Sequence, residues 1–439
     1  MLTRFILLLS ITLGLASCQP ATTKTSFAST HISQVITRMT DVMIHDITNP
    51  PLAARFFSYA CLAGYEVLAQ NDSTISPLPL IINGYPTLVK PDSLAGYHTE
   101  LSALLAMLET AKKMQPSGKM IGAYEQQLLD SCRAIGMSEE ELERSQQYAG
   151  WISKQVLAYA KGDRYSRISN FPRYTPLNEP GYWFPTAPAY MPAVEPYFNT
   201  VRPFMLDSAS QFIPPRPIPF STSKQSDFYA LMMRNYTVTK DMPQEYRVIA
   251  AFWDCNPFAV QDGGHLVTGL KKISPGAHWL GITGIACLQE KKSFSESLQI
   301  YTMVSMGLMD AFITCWDEKF RSNRIRPESA IRQLVDPQWQ PLLQTPPFPE
   351  YLSGHSVISS ASATILSHYF GNHFGYKDSV EVSYGLPARS FTSFRQAADE
   401  AAVSRFYGGI HFMDAIDNGV LQGNKVGDQL LSRVARGKQ

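Results

Sequence analysis

The 439-residue sequence has few charged residues and no excess of either sign. Only 17% of its residues are charged, and the formal net charge is +1 at pH 7. Nothing in this overall balance suggests a nucleic-acid partner, so we expect none. Hydrophobic residues make up 45% of the chain, which is enough for a large buried core. Length alone allows two or three domains, or one large helical domain.

Cysteine is also scarce, with six in the whole chain and no CxxC pair. This spacing does not match a zinc-binding motif, and the cysteines are too sparse for a disulfide framework. We expect buried thiols, with one disulfide bridge as an open alternative, at the five positions that follow the N-terminal segment: Cys61, Cys132, Cys255, Cys287 and Cys315.

The N-terminus has the features of an export signal. Residues 1–17 combine Arg4, an apolar run and small residues before Cys18, and we interpret them as a signal peptide. The sequence Leu15-Ala16-Ser17-Cys18 resembles a bacterial lipobox, in which the cysteine is lipidated; a plain signal peptide with an incidental cysteine is the alternative. Residues 18–30 would then be the lipidated Cys18 and a flexible tether.

No later run reaches the roughly 18–20 consecutive apolar residues that a membrane span requires. We therefore expect an exported bacterial lipoprotein that faces the periplasm or the cell surface. Its attachment to the membrane would be by lipid only.

Periodicity and proline content divide the remaining chain into three parts. Residues 31–170 and 226–439 place apolar residues three and four apart, as in "FSESLQIYTMVSMGLMDAFITCWDEKF", which predicts helices. Residues 171–225 contain 12 of the 30 prolines together with many aromatics, which predicts an irregular segment. No alternating strands or fixed repeats are found. The sequence predicts a mostly α fold of packed helical bundles, with the catalytic residues in the C-terminal helical half.

The first of three polar clusters is "WDEKFRSNRIRPESAIR". Lys319 and Arg326 are seven residues apart, which is two helical turns, so they share one face if the helix continues. Pro327 disfavours helix at the residue before it, so the alternative places Arg326 on the turn that follows the helix. A solvated basic helix end would explain the same residues without any function.

The second cluster is "PPFPEYLSGHSVISS", in which Ser353, Gly354 and His355 precede an alanine-rich helical pattern. A helix that starts here leaves its first backbone N–H groups free to bind an anion. Glycine allows close approach of a ligand to the backbone, and serine adds a hydroxyl donor. His355 would be an acid–base group. The alternative is that Ser353 is an ordinary N-cap beside a core histidine.

The third cluster is "SRFYGGIHFMDA". Arg405 offers a forked guanidinium suited to oxyanions, and His411 and Asp414 are three residues apart, so the carboxylate could fix the imidazole tautomer. A surface arginine and a buried histidine are the alternative. The three clusters together supply two arginines, a lysine, two histidines and a serine, a set that suits a highly charged tetrahedral oxyanion.

The order of these motifs resembles the signature of the superfamily that contains vanadium haloperoxidases and type 2 phosphatidic acid phosphatases. The resemblance spans residues 319–414. It implies a helical bundle of the vanadium haloperoxidase and acid phosphatase type. The elements that match are Lys319, Arg326, Pro327, Ser353, Gly354, His355, Ser404, Arg405, His411 and Asp414.

The resemblance also implies roles for these residues. His411 would be the axial ligand of vanadium in a haloperoxidase, or the nucleophile that attacks phosphorus in a phosphatase. His355 would act as acid–base group, with Asp414 as a third catalytic residue. The residues that would hold the oxyanion, either a vanadate cofactor or phosphate, are Lys319, Arg326, Ser353, Gly354 and Arg405.

Two further features favour the haloperoxidase branch. An additional helical half precedes the motifs, and Trp316 and Phe348 resemble aromatics of the chloride-using haloperoxidases, where they would form an apolar halide or substrate pocket. Core packing is the alternative for both. We expect a vanadate-dependent haloperoxidase-like enzyme that uses hydrogen peroxide and halide. A histidine acid phosphatase that hydrolyses small phosphoesters through phospho-His411, and a non-catalytic ligand-binding surface lipoprotein, are the alternatives.

Overall fold

The structure is a computed structural model that describes residues 26–187, 190–262, 267–270 and 272–437. The proposed signal peptide and Cys18 lie outside these residues. The described chain is mainly helical, which confirms the predicted fold class. Its strands form two short antiparallel pairs, β1 (Val260–Asp262) with β2 (Val267–Gly269) and β3 (Tyr376–Asp378) with β4 (Arg389–Phe391).

Five α-helices occupy the first part of the chain. The side chain of Asn49 caps α2 by accepting a hydrogen bond from the backbone N–H of Leu52 at 2.9 Å, and proline at the first helical position fits this start. The first helix begins inside the segment predicted as a tether. The bounds are α1 Ser29–His45, α2 Pro50–Ala69, α3 Thr99–Met114, α4 Lys119–Ala134 and α5 Glu139–Lys161.

Eight α-helices follow in the second part of the described chain. Helices α9, α11, α12 and α13 pack together, and α9 also packs against α2, so both parts share one core. The bounds are α6 Asp227–Lys240, α7 Gln244–Phe252, α8 Pro275–Gln289, α9 Phe294–Ser322, α10 Pro327–Leu334, α11 Gly354–Phe370, α12 Phe394–Tyr407 and α13 Met413–Arg436.

Helix α9 is the central helix of this core. It is long and apolar enough to cross a membrane, but 94% of its most apolar 18-residue window is buried inside the protein. A capping box of Ser293 and Glu296 starts the helix, and Asn323 ends it in the left-handed conformation with φ 48°. These two ends place Lys319 in the buried last turn.

Residues 171–225 are irregular, apart from one turn of 3₁₀-helix at Phe198–Thr200 in the part that the structure describes. Backbone hydrogen bonds attach this segment to two loops around the polar clusters. The N–H of Trp183 donates to the carbonyl of Asn323 at 2.7 Å, and the N–H of Val194 donates to the carbonyl of Pro347 at 3.0 Å. The segment is therefore packed onto the domain.

All five cysteines of the described chain are buried and free. The expectation of buried thiols is confirmed, and the optional disulfide bridge does not form among them.

Candidate active site

A glycine turn brings His411 into the interior. Helix α12 ends at Tyr407, and Gly409 has a positive φ of 75°, where a Cβ would also lie 3.1 Å from Pro341. Glycine alone adopts this conformation without strain. The turn places His411 between α12 and α13, with only 3% of its surface exposed.

The contacts of His411 determine which ring nitrogen carries the proton. Nε2 lies 3.1 Å from Nη1 of Arg326, and Nδ1 lies 2.8 Å from Oε1 of Glu350. A guanidinium only donates hydrogen bonds, so Nε2 is the acceptor and Nδ1–H donates to Glu350. The N–H of Phe412 donates to the same carboxylate oxygen at 2.9 Å. These contacts fix the ring and leave Nε2 as its basic nitrogen.

Asp414 does not fix the imidazole of His411, so that prediction is wrong. Nη1 and Nη2 of Arg324 donate to the two Asp414 oxygens at 2.6 and 2.8 Å, and Arg324 Nε donates to Glu350 at 2.6 Å. Helix α13 begins only at Met413, so His411 and Asp414 do not share a helical face. Asp414 reaches His411 only indirectly, through Arg324 and Glu350.

Glu350 is the residue that the sequence analysis missed. It lies in the apolar, proline-rich run before Ser353, and it is fully buried. A carboxylate in such a run is itself a signal, because buried carboxylates need charged or hydrogen-bonding partners. The sequence thus shows that Glu350 needs a partner, but it does not identify which residue this is. The partner, His411, is 61 residues away.

Lys319 and Arg326 hold the backbone around the histidine. The Lys319 ammonium donates to the carbonyls of Pro349 and Glu350 at 3.0 and 3.1 Å, and also to that of Leu352. Arg326 donates to the carbonyls of Phe348 at 2.9 Å and Ile410 at 2.8 Å. Arg326 has an extended conformation at the N-cap of α10, so the turn placement is correct.

Three buried cations of the site, Lys319, Arg326 and Arg405, form no ion pair with a carboxylate in the described chain. Burial is the main reason why the pKa of Lys319 is lowered to about 7 and that of Arg326 to about 9. Burial also lowers the pKa of Arg405. Arg324 is different. Burial alone would lower its pKa too, but the neighbouring carboxylates of Glu350 and Asp414 raise the pKa above its ordinary value. In the described chain the three cations therefore have no carboxylate in direct contact.

The start of α11 shows that Ser353 is an N-cap. Its Oγ accepts a hydrogen bond from the N–H of Ser356 at 3.3 Å. Gly354 lies beside Trp316, and a Cβ at this position would be 3.7 Å from the indole ring. Nε2 of His355 lies 3.4 Å from Nη1 of Arg405. Ser353 is therefore an ordinary N-cap, and the start of the helix that it caps also lies at the site.

The three clusters meet at one small pocket with a volume of about 40 Å³. Lys319, Arg326, Ser353 and Asp414 are not among its lining residues, and the described part of residues 171–225 contributes none. Trp316 and Phe348 form an apolar side, with ring centroids 4.9 Å apart. Residues of the three clusters that line the pocket are Trp316, Pro346, Phe348, Gly354, His355, Arg405, Ile410 and His411.

Both histidines of the pocket are held neutral. Burial is the largest cause that lowers the pKa of His355 well below its ordinary value, and the charge of Arg405 adds to it. For His411, burial acts together with the charges of Arg326, Lys319 and Arg405. The pocket thus offers two neutral imidazoles and the Arg405 guanidinium, with Lys319 and Arg326 buried behind its wall, which is an arrangement suited to an oxyanion.

Comparisons with known proteins agree with this chemistry. The family profile described as the VCPO second helical-bundle domain matches residues 299–438. No curated protein matches the chain. The crystal structure of the first bacterial vanadium-dependent iodoperoxidase is 40% identical, with a TM-score of 0.88 over 93% of this chain and 97% of that chain.

Two more distant structures share the fold. The holo and apo forms of a bacterial vanadium-dependent chloroperoxidase are each 16% identical, with TM-scores of 0.66 over 89% of this chain and 94% or 96% of theirs. The identity to the iodoperoxidase, over nearly the full length of both chains, is the deciding comparison. The chain belongs to the vanadium-dependent haloperoxidase family and is an enzyme of that type.

Proposed function

We propose that this enzyme binds vanadate at Nε2 of His411 and uses hydrogen peroxide to oxidise halide, with iodide as its preferred halide. The observation that carries the proposal is the group of three buried cations without a carboxylate partner around a neutral histidine. An anion with several oxygen atoms would supply the missing negative charge and accept hydrogen bonds from Arg405, which lines the pocket.

The residues of the pocket fit vanadate. The basic Nε2 of His411 is an available ligand atom, because the ring proton is held at Nδ1 by Glu350. Gly354, the first residue of α11, lines the same pocket, so the N-terminal end of this helix, which favours anions, lies next to it. Lys319, Arg326, Gly354 and Arg405 are the residues that would hold the oxygen atoms of vanadate. Bound vanadate would supply the Lewis acid that polarises peroxide for attack by halide.

The reaction of one halide, one hydrogen peroxide and one proton gives hypohalous acid and water. We assign the proton transfer to Nε2 of His355, which lines the pocket beside Arg405. Its lowered pKa keeps this nitrogen free to accept a proton from peroxide. Ser353 supports the site as the N-cap that starts α11, and its O–H stays available as a donor.

The halide assignment rests on two observations. The 40% identical relative is an iodoperoxidase, and the pocket has an apolar side of Trp316 and Phe348. Iodide is the largest and most weakly hydrated of the common halides, so it loses least when it enters an apolar pocket. It is also the easiest to oxidise.

The test uses protein purified without phosphate. Oxidation of iodide, bromide and chloride is measured with peroxide, with and without added vanadate, and hydrolysis of a phosphomonoester is measured in parallel. We expect halide oxidation only with vanadate, fastest with iodide. Rapid phosphoester hydrolysis without any vanadate-dependent oxidation would assign the pocket to a phosphatase, and inactivity in both assays would leave only ligand binding.

We also propose that Cys18 is lipidated after cleavage of residues 1–17, which would attach the enzyme to a membrane on the periplasmic or outer side. The support is the lipobox-like sequence before Cys18. Expression of the full chain with Cys18→Ser should move the protein from the membrane fraction to the soluble exported fraction. Equal membrane association of both forms would contradict lipidation.

A further inference from the structure

A second group of potential ligands lies next to the catalytic pocket and has no part in the proposed reaction. It consists of Cys255, His278 and Glu381, all buried. Cys255 follows α7, His278 lies in the first turn of α8, and Glu381 lies in the short 3₁₀-helix Val380–Tyr384 after β3. The fold therefore brings a thiol, an imidazole and a carboxylate together from three distant parts of the chain.

Their mutual distances have the dimensions of a metal site. Cys255 Sγ lies 3.5 Å from His278 Nδ1 and 3.6 Å from Glu381 Oε1, and Nδ1 lies 3.4 Å from Oε1. Tetrahedral zinc has bonds of about 2.3 Å to sulfur, 2.0–2.1 Å to nitrogen and 2.0–2.2 Å to oxygen, so its ligand atoms should be about 3.3–3.6 Å apart. The three atoms thus form one face of a zinc tetrahedron.

A second, independent contact supports this assignment. Nε2 of His278 lies 2.8 Å from Oδ2 of Asp378, which is fully buried at the end of β3. Histidines that bind zinc usually donate the hydrogen of their other ring nitrogen to a carboxylate, which fixes the tautomer and orients the ligand atom. The ring of His278 also stacks on Trp253, with centroids 4.7 Å apart.

We propose that Cys255, His278 and Glu381 bind one zinc ion, that Asp378 orients His278, and that water occupies the fourth position. Thiolate, imidazole and carboxylate are ligand types that zinc accepts. A thiolate and a carboxylate balance the two positive charges, so the occupied site is neutral in its inner sphere. Binding requires Cys255 to release its proton.

The site would stabilise one side of the catalytic pocket. Cys255 and its neighbours Asp254 and Asn256 line the pocket, and the backbone of Trp253 is hydrogen-bonded to His355. A metal ion at Cys255 would tie this loop to α8 and to the segment after β3. The zinc is therefore a positioning element, separate from the vanadate site.

The first test measures metals in the full chain purified without chelators and then dialysed. We expect roughly one zinc per chain, since three protein ligands and a water complete the four positions of one zinc ion, counted separately from vanadium by mass spectrometry. After zinc removal, cobalt(II) should restore the site and give a sulfur-to-cobalt charge-transfer absorption. Protein that holds no zinc and shows no such absorption with cobalt would overturn the proposal, whatever its oxidase activity.

Variants locate the metal. Cys255→Ser should lose the charge-transfer absorption, whereas Cys287→Ser should keep it, because Cys287 is a buried free cysteine on α8 outside the cluster. Asp378→Asn keeps all three ligands and should weaken cobalt affinity by about 10–100-fold. Unchanged metal content and absorption in Cys255→Ser would show that the metal binds elsewhere. If that variant does not fold, the Asp378→Asn affinity and the wild-type absorption still decide.

Discussion

The carboxylate of Glu350 accepts a hydrogen bond from Nδ1 of His411 at 2.8 Å. This contact assigns the ring proton to Nδ1 and leaves Nε2 facing Arg326, at 3.1 Å. The same carboxylate forms an ion pair with Arg324, which in turn binds Asp414. Glu350 therefore connects the proposed vanadium ligand to a buried charge network. Asp414 belongs to this network only through its ion pair with Arg324.

The first prediction tests this order of contacts. Glu350→Gln removes the negative charge beside Nδ1, so Nε2 of His411 becomes less basic and less well oriented. Vanadate affinity should fall by about 10–100-fold, measured by equilibrium dialysis of phosphate-free protein.

Asp414→Asn is the matched control. It also removes one negative partner of Arg324, but it leaves the Glu350–His411 contact in place. Both variants should lower the Tm, and only Glu350→Gln should lower vanadate affinity strongly. Equal losses of vanadate affinity in the two variants would return Asp414 to a direct role in the site.

The second prediction separates the two histidines. His411→Ala should abolish vanadate binding and halide oxidation together, because it removes the nitrogen that would bind vanadium. His355→Ala should reduce turnover by roughly 10²–10⁴-fold, the range for loss of an acid–base group, while vanadate affinity changes comparatively little. The measurements are vanadate dialysis and steady-state kinetics with iodide. Similar losses of vanadate affinity in both variants would mean that the two roles are assigned wrongly.

The sequence revealed those parts of the site that depend on local chemistry. Pro327, Gly354 and the Gly408-Gly409 pair mark the starts or ends of helices, and three of the cations and histidines next to them, His355, Arg405 and His411, line the pocket. The periodicity of apolar residues predicted a helical fold, and the proline content predicted an irregular middle segment. Both are local properties of the sequence.

The errors and omissions concern contacts between distant residues. The pairing of His411 with Asp414 assumed one continuous helix, but Phe412 is the N-cap of α13 and separates them. Glu350 contacts His411 across 61 residues, and Cys255 contacts Glu381 across 126 residues. No periodicity specifies such pairs, because they depend on how helices and loops pack after they form.

The third prediction concerns the apolar side of the pocket. Phe348→Gln places an amide next to the indole of Trp316, where the rings are now 4.9 Å apart. Halide would then meet a hydrated polar group, and kcat/KM for iodide should fall by roughly 10-fold or more, the size of effect expected from one pocket contact. Vanadate affinity should stay nearly constant. Phe348→Leu keeps the apolar character and serves as the control, and equal kinetics in the two variants would mean that the ring is only core packing.

The fourth prediction is a pH dependence that arises at Lys319. Burial, together with the charge of Arg326, lowers its pKa from 10.5 to about 7 in the anion-free protein. Above this pH the folded protein holds a neutral Lys319 while the unfolded chain keeps the charge up to about pH 10.4. The unfolded chain then binds more protons, so the cost of burying Lys319 is largest below pH 7 and decreases as the pH rises.

An oxyanion in the pocket reverses this shift, because its charge favours the ammonium form of Lys319. Anion binding should therefore take up a proton above about pH 7, and affinity should fall as the pH rises through this value.

Sulfate is the suitable probe, since its own charge is constant in this range. Calorimetry in buffers of different ionisation enthalpy measures the proton uptake directly. In Lys319→Met the proton uptake and the fall in affinity should both be smaller, and what remains belongs to His355, His411 and, near pH 9, Arg326. Sulfate affinity that is constant between about pH 6 and pH 9 in the wild-type protein would contradict a titrating lysine in the site.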